Sequence, residues 1–411
     1  MNRELRADAE RIVRAAIASV LPDESVRRAL DGMQFPGRII LVAVGKAAWQ
    51  MAKAAVECLP KKIHAGIVLT KYHHVKHPLD GVVCLEAGHP VPDENSFSGT
   101  QKVLDMTADL RETDTVLFLL SGGGSALFEK PLILPEELRD ITSQLLACGA
   151  DIRQINTIRK RLSAVKGGRF AQWCAPARVE TVILSDVLGD PPDMIASGPA
   201  APDHTTCDQA MEIARMYGLT LSQAALDALQ RETPNALPNA HTQIIGSVRQ
   251  LCVAAEQACR ELGYETVFLT DRLCCEARDA GRDLGELLKE HQHQGRKLAF
   301  LAGGETVVHV TGTGLGGRNQ ELALGAAEAI SGMENACVIS VGSDGTDGPT
   351  DAAGGYADGD TVAALREKGI SLTQVLRNND AYHALKAVDG LVITGPTGTN
   401  VNDIAVALLR P

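Results

Sequence analysis

The stretch "DTVLFLLSGGGSAL" (114–127) decides the reading of the fold. An apolar run ends in three glycines, Gly122, Gly123 and Gly124, set between Ser121 and Ser125. A strand with one wet face alternates apolar and polar residues; a continuous apolar strand is covered on both faces, as in a parallel sheet between helices. The glycines let the backbone turn tightly, and a helical turn follows. The same plan recurs in "RIILVAVGKAA" (38–48), where a strand closes on Gly45 and Lys46 and "WQMAKAAVECL" continues at helical spacing. Further apolar runs lie at 65–70, 81–88 and 179–187, with helical stretches at 94–110, 135–149 and 208–217.

"RETPNALPNAHT" (231–242) interrupts the alternation with two prolines and two asparagines and reads as a linker. Beyond it the pattern resumes: helix 247–262, strand 264–271, helix 276–291, strands 297–305 and 306–312, helix 318–330, strand 336–345, helices near 359–368 and 379–388, then strands 390–398 and 403–409. At 411 residues the chain exceeds what one core usually holds, about 250–300 residues. The expected class is α/β, with two α/β/α domains, mostly parallel sheets and an interdomain active-site cleft. The N-terminal Rossmann-like domain is expected over 1–238 and the C-terminal one over 239–411.

Composition narrows the function classes. A net charge of −11 opposes binding to nucleic acid or an anionic membrane, and 3% aromatic residues leave few stacking platforms. No apolar run approaches the roughly 20 residues of a membrane span. The N-terminal segment is amphipathic and lacks the apolar core of a secretion signal. The expected location is cytoplasmic and the expected partner a small-molecule substrate; a homodimer is allowed. The ten cysteines contain no C-x-x-C pair and read as free thiols.

In an α/β sheet, ligands collect where strands end. "SGGGSAL" exposes backbone N–H groups suited to phosphate, although a bare tight turn has the same composition. Lys46 at a helix start faces an unfavourable dipole, which suggests a task such as neutralising a phosphoryl group. "INTIRKRLSAVKGGRFA" (155–171) packs Arg159, Lys160, Arg161, Lys166 and Arg169 together. A solvated helix face accounts for most of them, with one or two lining the site. In "LSDVLGDPPDMIASGP" (184–199), Asp186, Asp190 and Asp193 follow a strand, where carboxylates bind magnesium or orient a hydroxyl; turn chemistry is the bland alternative.

"GETVVHVTGTGLGGRNQE" (304–321) surrounds one cation with glycine. Arg318 and Asn319 are expected on the first turn of a helix. Gly312, Gly314 and Gly317 match the dinucleotide fingerprint literally, but no acid closes a strand about 20 residues on, so the match is weak. "GSDGTDGPTDAAGG" (342–355) offers Asp344, Asp347 and Asp351 without the order of a calcium loop. "TGPTGTNVND" (394–403) again places glycines and small hydroxyls after a strand.

These segments, with "GHPVPDENS" (88–96), "GGRNQE" (316–321) and "GPTGTNVND" (395–403), resemble the class II glycerate 2-kinases, whose C-terminal part is the MOFRL domain, along nearly the whole chain. The resemblance implies ATP-dependent phosphorylation of D-glycerate to 2-phosphoglycerate, with ATP and Mg2+. It implies Lys46 and Arg318 as catalytic cations, to which Asp190 is added as the group orienting the hydroxyl. The binding set is Ser121, Gly122, Gly123, Gly124, Ser125, Lys166, Asn319, Glu321, Thr397, Thr399 and Asn400; Asp186, Asp344 and Asp347 are the metal candidates. An NAD(P)H-dependent hydroxypyruvate reductase, a label some relatives carry, is the alternative.

Overall fold

Strand order sets where the glycine turns meet. The computed structural model describes residues 2–411. The chain forms two compact units, Pro22–Ile245, and Met1–Leu21 with Gly246–Pro411. The sequence-based boundary at 238/239 puts the N-terminal helix with the first unit. In the structure the helix Arg3–Ser19 packs instead on the helix Val248–Glu261 of the second, burying Leu5, Ala9, Ile12, Val13 and Ala16.

In the first unit, β1 (Ile39–Val44), β2 (Ile63–Lys71), β3 (Val82–Ala87), β4 (Thr115–Leu120), β5 (Arg178–Leu184) and β6 (Ala240–Gly246) form one sheet in the order β3-β2-β1-β4-β5-β6. The pairs from β3 to β5 are parallel. β1 and β4 are buried along their whole length, as unbroken apolar strands require. One face packs Val42, Val44, Phe118 and Leu120 with Phe128 and Phe170. The three rings lie 5.0–5.8 Å apart, and each contributes about 2 kcal/mol through burial. The segment read as a linker runs into the start of β6, which lies beside β5 at the sheet's edge.

In the second unit, β7 (Glu265–Leu273), β8 (Leu298–Gly304), β9 (Ala336–Gly342), β10 (Gly354–Asp358), β11 (Leu391–Val392) and β12 (Asp403–Leu409) lie in the order β11-β10-β9-β12-β8-β7. Helices Ala277–His291 and Arg318–Ala327 cover one face through Leu284, Leu288, Leu322 and Ala326. On the other face the helix Val248–Glu261 closes on Gly303, where a Cβ would come within 2.4 Å of Cys252 Sγ. This sheet is mixed, unlike the parallel one expected: β7–β8 is parallel, and the other neighbour pairs are antiparallel. Parallel neighbours need a long crossover. β9 reaches β10, and β11 reaches β12, through loops without helices, so β10 and β12 run against the rest. The strand expected at 306–312 is absent apart from a single bridge, Val307–Glu276. Among the described residues no helix is long and apolar enough to cross a membrane.

Candidate active site

The first sheet has a switch point. The chain runs β1, β2, β3 to one side, then returns with β4 on the other side of β1, opening a crevice at the strands' carboxyl ends. Val44 and Leu120 are register partners, so the turns holding Lys46 and Ser121–Ser125 start level. They are laced together: the Lys46 amide donates to the Gly122 carbonyl at 2.9 Å, and the Ala47 amide to Ser121 Oγ at 3.0 Å. A Cβ at Gly45 would lie 2.2 Å from Ser121 Oγ, and one at Gly122 would lie 2.0 Å from Asp186 Oδ2. Only glycine permits such approach. Gly123 has φ +88, and a Cβ there would meet the His89 ring at 3.0 Å and Lys46 Cγ at 3.2 Å. Lys46, Gly122, Gly123, Asp186 and His89 therefore share this crevice.

Sequence reasoning passed over His89, although it follows the end of β3 in "GHPVP". Burial, then the charges of Lys46, Lys71 and His74, push its pKa down to about 4, so its imidazole is neutral at pH 7. Asp190 stands in the left-handed region at φ 54, and its Oδ1 is enclosed without a hydrogen-bond partner. Gly124 packs against Ala196, and the Ser125 hydroxyl lies 3.0 Å from that of Ser197, which donates to Asn156 Oδ1 at 2.9 Å.

The basic region is not the solvated face expected. Lys160 pairs with Asp193 and Asp203, and Arg161 with Glu232. Lys166, a binding candidate, is 0% exposed: its Nζ lies 2.8 Å from Glu129 Oε2 and donates to the Phe128 carbonyl at 2.8 Å. Burial lowers its pKa against the pull of Glu129. Lys166 is thus a core cation held by its own carboxylate.

In the second unit, β7, β8 and β9 end at the edge where β12 begins. Arg318 opens the helix Arg318–Ala327 there. Its Nε donates to Asp403 Oδ2 at 2.5 Å, Nη2 to Asp403 Oδ1 at 3.0 Å, and Nη1 to Glu305 Oε1 at 2.9 Å. Burial acts to lower its pKa, yet Asp403, Glu305 and Asp347 together raise it. Burial pushes Asp403 up to about 6, opposed by Arg318.

Asp347, a metal candidate, is a helix cap instead. Its carboxylate accepts the Asn319 amide at 3.1 Å and the Gln320 amide at 2.9 Å, groups a helix start leaves unpaired. Asn319 is buried, accepting from Ser340 Oγ at 2.6 Å. Glu321 is buried with Asn379 Nδ2 at 3.2 Å, and the Thr399 hydroxyl donates to the Val20 carbonyl at 2.8 Å. These three candidates are met by protein partners. Thr397 Oγ1 donates to the Ser343 carbonyl, Asn400 Oδ1 accepts the Asn402 amide at 3.5 Å, and Asp344 Oδ1 accepts the Thr346 amide and hydroxyl.

The glycine-rich loop is not a dinucleotide turn, because β8 ends at Gly304 and the helix starts only at Arg318. Residues 378–380 hold it instead. Asn379 Oδ1 accepts the Thr311 and Gly312 amides at 2.8 and 3.0 Å, and the Asn378 carbonyl and Asp380 carboxylate accept those of Gly314 and Leu315. A Cβ at Gly312 would lie 2.3 Å from the Asn378 carbonyl oxygen. The "NND" triplet offers no signal before its partner loop is known.

Two family models match the chain: DUF4147, described as a domain of unknown function, over residues 8–230, and the MOFRL family over 298–403. A D-glycerate 2-kinase from Thermotoga maritima is 52% identical over 404 residues, 97% of each chain. The chain belongs to the glycerate 2-kinase family. A second relative, the glycerate 2-kinase of Pyrococcus horikoshii, is 39% identical over 99% of this chain and 98% of its own. The crystal structure of Thermotoga maritima glycerate kinase superposes with a TM-score of 0.96 at 50% identity, covering 99% of both chains. The family's two matched regions each carry one of the two cations described above: Lys46 lies within 8–230 and Arg318 within 298–403.

Proposed function

We propose that this chain transfers the γ-phosphoryl group of ATP to the 2-hydroxyl of D-glycerate, giving 2-phospho-D-glycerate and ADP. The observation that supports it most is the chain-long 52% identity to a D-glycerate 2-kinase. The chemistry agrees. Phosphoryl transfer needs positioning and neutralised charge more than covalent help. A chain of net charge −11 must supply cations and N–H groups locally to hold such anions, a task suited to Lys46 and the backbone amides of the Ser121–Ser125 turn in one unit and to Arg318 in the other.

In the proposed step the C2 oxygen bonds to the γ-phosphorus and the bond to the β-phosphate oxygen breaks. Asp190, whose Oδ1 has no protein partner, accepts the hydroxyl proton. Lys46 and Arg318 offset the charge on the transferring group. Magnesium shared with a nucleotide needs only one or two protein carboxylates, and the Asp186 carboxylate stands beside Gly122 of the Ser121–Ser125 turn. Asp186, beside Gly122, would hold it, and the ion would neutralise the β- and γ-oxygens.

Incubation with D-glycerate, ATP and Mg2+, followed by phosphorus NMR, tests the proposal. It expects 2-phosphoglycerate; a 3-phosphate corrects the regiochemistry, and no phosphorylated acid ends the reading.

A further inference from the structure

Arg159 is a cation of the 155–171 region that the fold leaves unsatisfied. It lies on the helix Ile152–Arg161. Its neighbours have partners: Lys160 and Arg161 are ion-paired, although Arg161 Nε is unpartnered, and Arg169 Nη1 donates to the carbonyls of Lys160, Arg161 and Ser163. Arg159 makes one long hydrogen bond, from Nη2 to the Ser125 carbonyl at 3.4 Å, and its Nε is enclosed with no partner. It has no ion pair among the described residues. The nearby carboxylate, Glu129, pairs through Oε2 with Lys166 at 2.8 Å and makes no ion pair with Arg159. Burial lowers the pKa of Arg159, with Glu129 acting against it. A guanidinium in such a place is costly unless an anion completes it.

Its position says which anion. Arg159 meets the loop at Ser125, and the Lys46 side chain meets the same loop at Gly123. Two residues of chain span at most about 7 Å. Both side chains therefore flank the same short glycine turn. A planar guanidinium with unused donors also matches a planar carboxylate by the two-point geometry lysine cannot supply.

We propose that Arg159 binds the carboxylate of the acceptor acid, leaving its hydroxyl toward Lys46. This rests on the kinase reading above and adds the residue that selects a hydroxy acid over a plain alcohol.

The test compares wild type with Arg159→Ala and Arg159→Lys, measuring KM for D-glycerate and ATP separately, turnover of glycerol, and melting temperature. Both variants are expected to raise KM for D-glycerate at least tenfold while KM for ATP stays within twofold. The preference for D-glycerate over glycerol should shrink by a similar factor, and added guanidinium should partly rescue Arg159→Ala. An unchanged KM for D-glycerate overturns the proposal. So does a rise confined to ATP, which would assign Arg159 to a nucleotide phosphate, and so does loss of folding in both variants, which would assign it to the core. If wild type phosphorylates no acid, the kinase reading itself fails, an outcome visible before any variant is made.

Discussion

Arg318 and Asp403 form a two-point ion pair, with Nε 2.5 Å from Oδ2 and Nη2 3.0 Å from Oδ1, joining the start of a helix to the start of β12. The pair fixes the guanidinium plane, and Glu305 holds the third nitrogen. Asp403→Asn keeps the shape and removes the charge. Its kcat is expected to fall at least about tenfold, or ~1.4 kcal/mol of transition-state stabilisation. Steady-state kinetics beside a melting curve checks this; a wild-type rate would show that Arg318 does not depend on its partner.

The same pair predicts the acid limb of the pH profile. Asp403 is raised to about 6, so above that pH it is charged and grips Arg318. As pH falls through 6 it takes a proton and the grip loosens. Activity should therefore drop below about pH 6, and Asp403→Asn should flatten the limb. His89, lowered to about 4, contributes no step between pH 6 and 7. A limb that survives in Asp403→Asn would point to another group.

Lys46→Ala and Arg318→Ala should each lower kcat by at least about tenfold, because in the proposed reaction each offsets charge on the phosphoryl group. The loss should appear in kcat more than in the KM for glycerate. Near-normal turnover in both would refute their assignment.

Gly122→Ala sets a methyl 2.0 Å from Asp186 Oδ2. The turn must shift, at about 1–3 kcal/mol as for other overpacked sites. A melting temperature lower by several degrees and a fall in activity are expected. A variant as stable and active as wild type would mean that the loop yields freely.

Asn379→Ala removes the acceptor of the Thr311 and Gly312 amides. Hydrogen exchange at 311–315 should quicken at least about tenfold, with little change in the first unit. Unchanged exchange would place the hold elsewhere, on Asn378 and Asp380.

The first sheet was largely legible. β1 and β4 are apolar along their whole length, and that pattern alone implies burial on both faces. The turns holding Lys46 and Ser121–Ser125 were equally plain, since glycine beside a strand end has few other uses. The second unit was less so. "TVVHVTG" has the composition of a strand, but β8 is already flanked by β7 and β12, and the segment's later amides bond to residues 378–380. Asp347, Asn319 and Lys166 looked like ligands because polar residues that cap helices or pair in the core have the same identities as those that bind.

The sequence by itself determined the local units: where strands end, where glycines free the backbone, and which loops carry Lys46 and Arg318. Those signals reach only a few residues along the chain. Tertiary structure decided the partners. Asp403 stands 85 positions from Arg318 and meets it only because β12 inserts between β9 and β8. Arg159 makes no ion pair among the described residues, whereas Lys166, seven positions on, sits 2.8 Å from Glu129 Oε2. Which charges cancel and which remain depends on sheet order and burial, and no short-range periodicity encodes that.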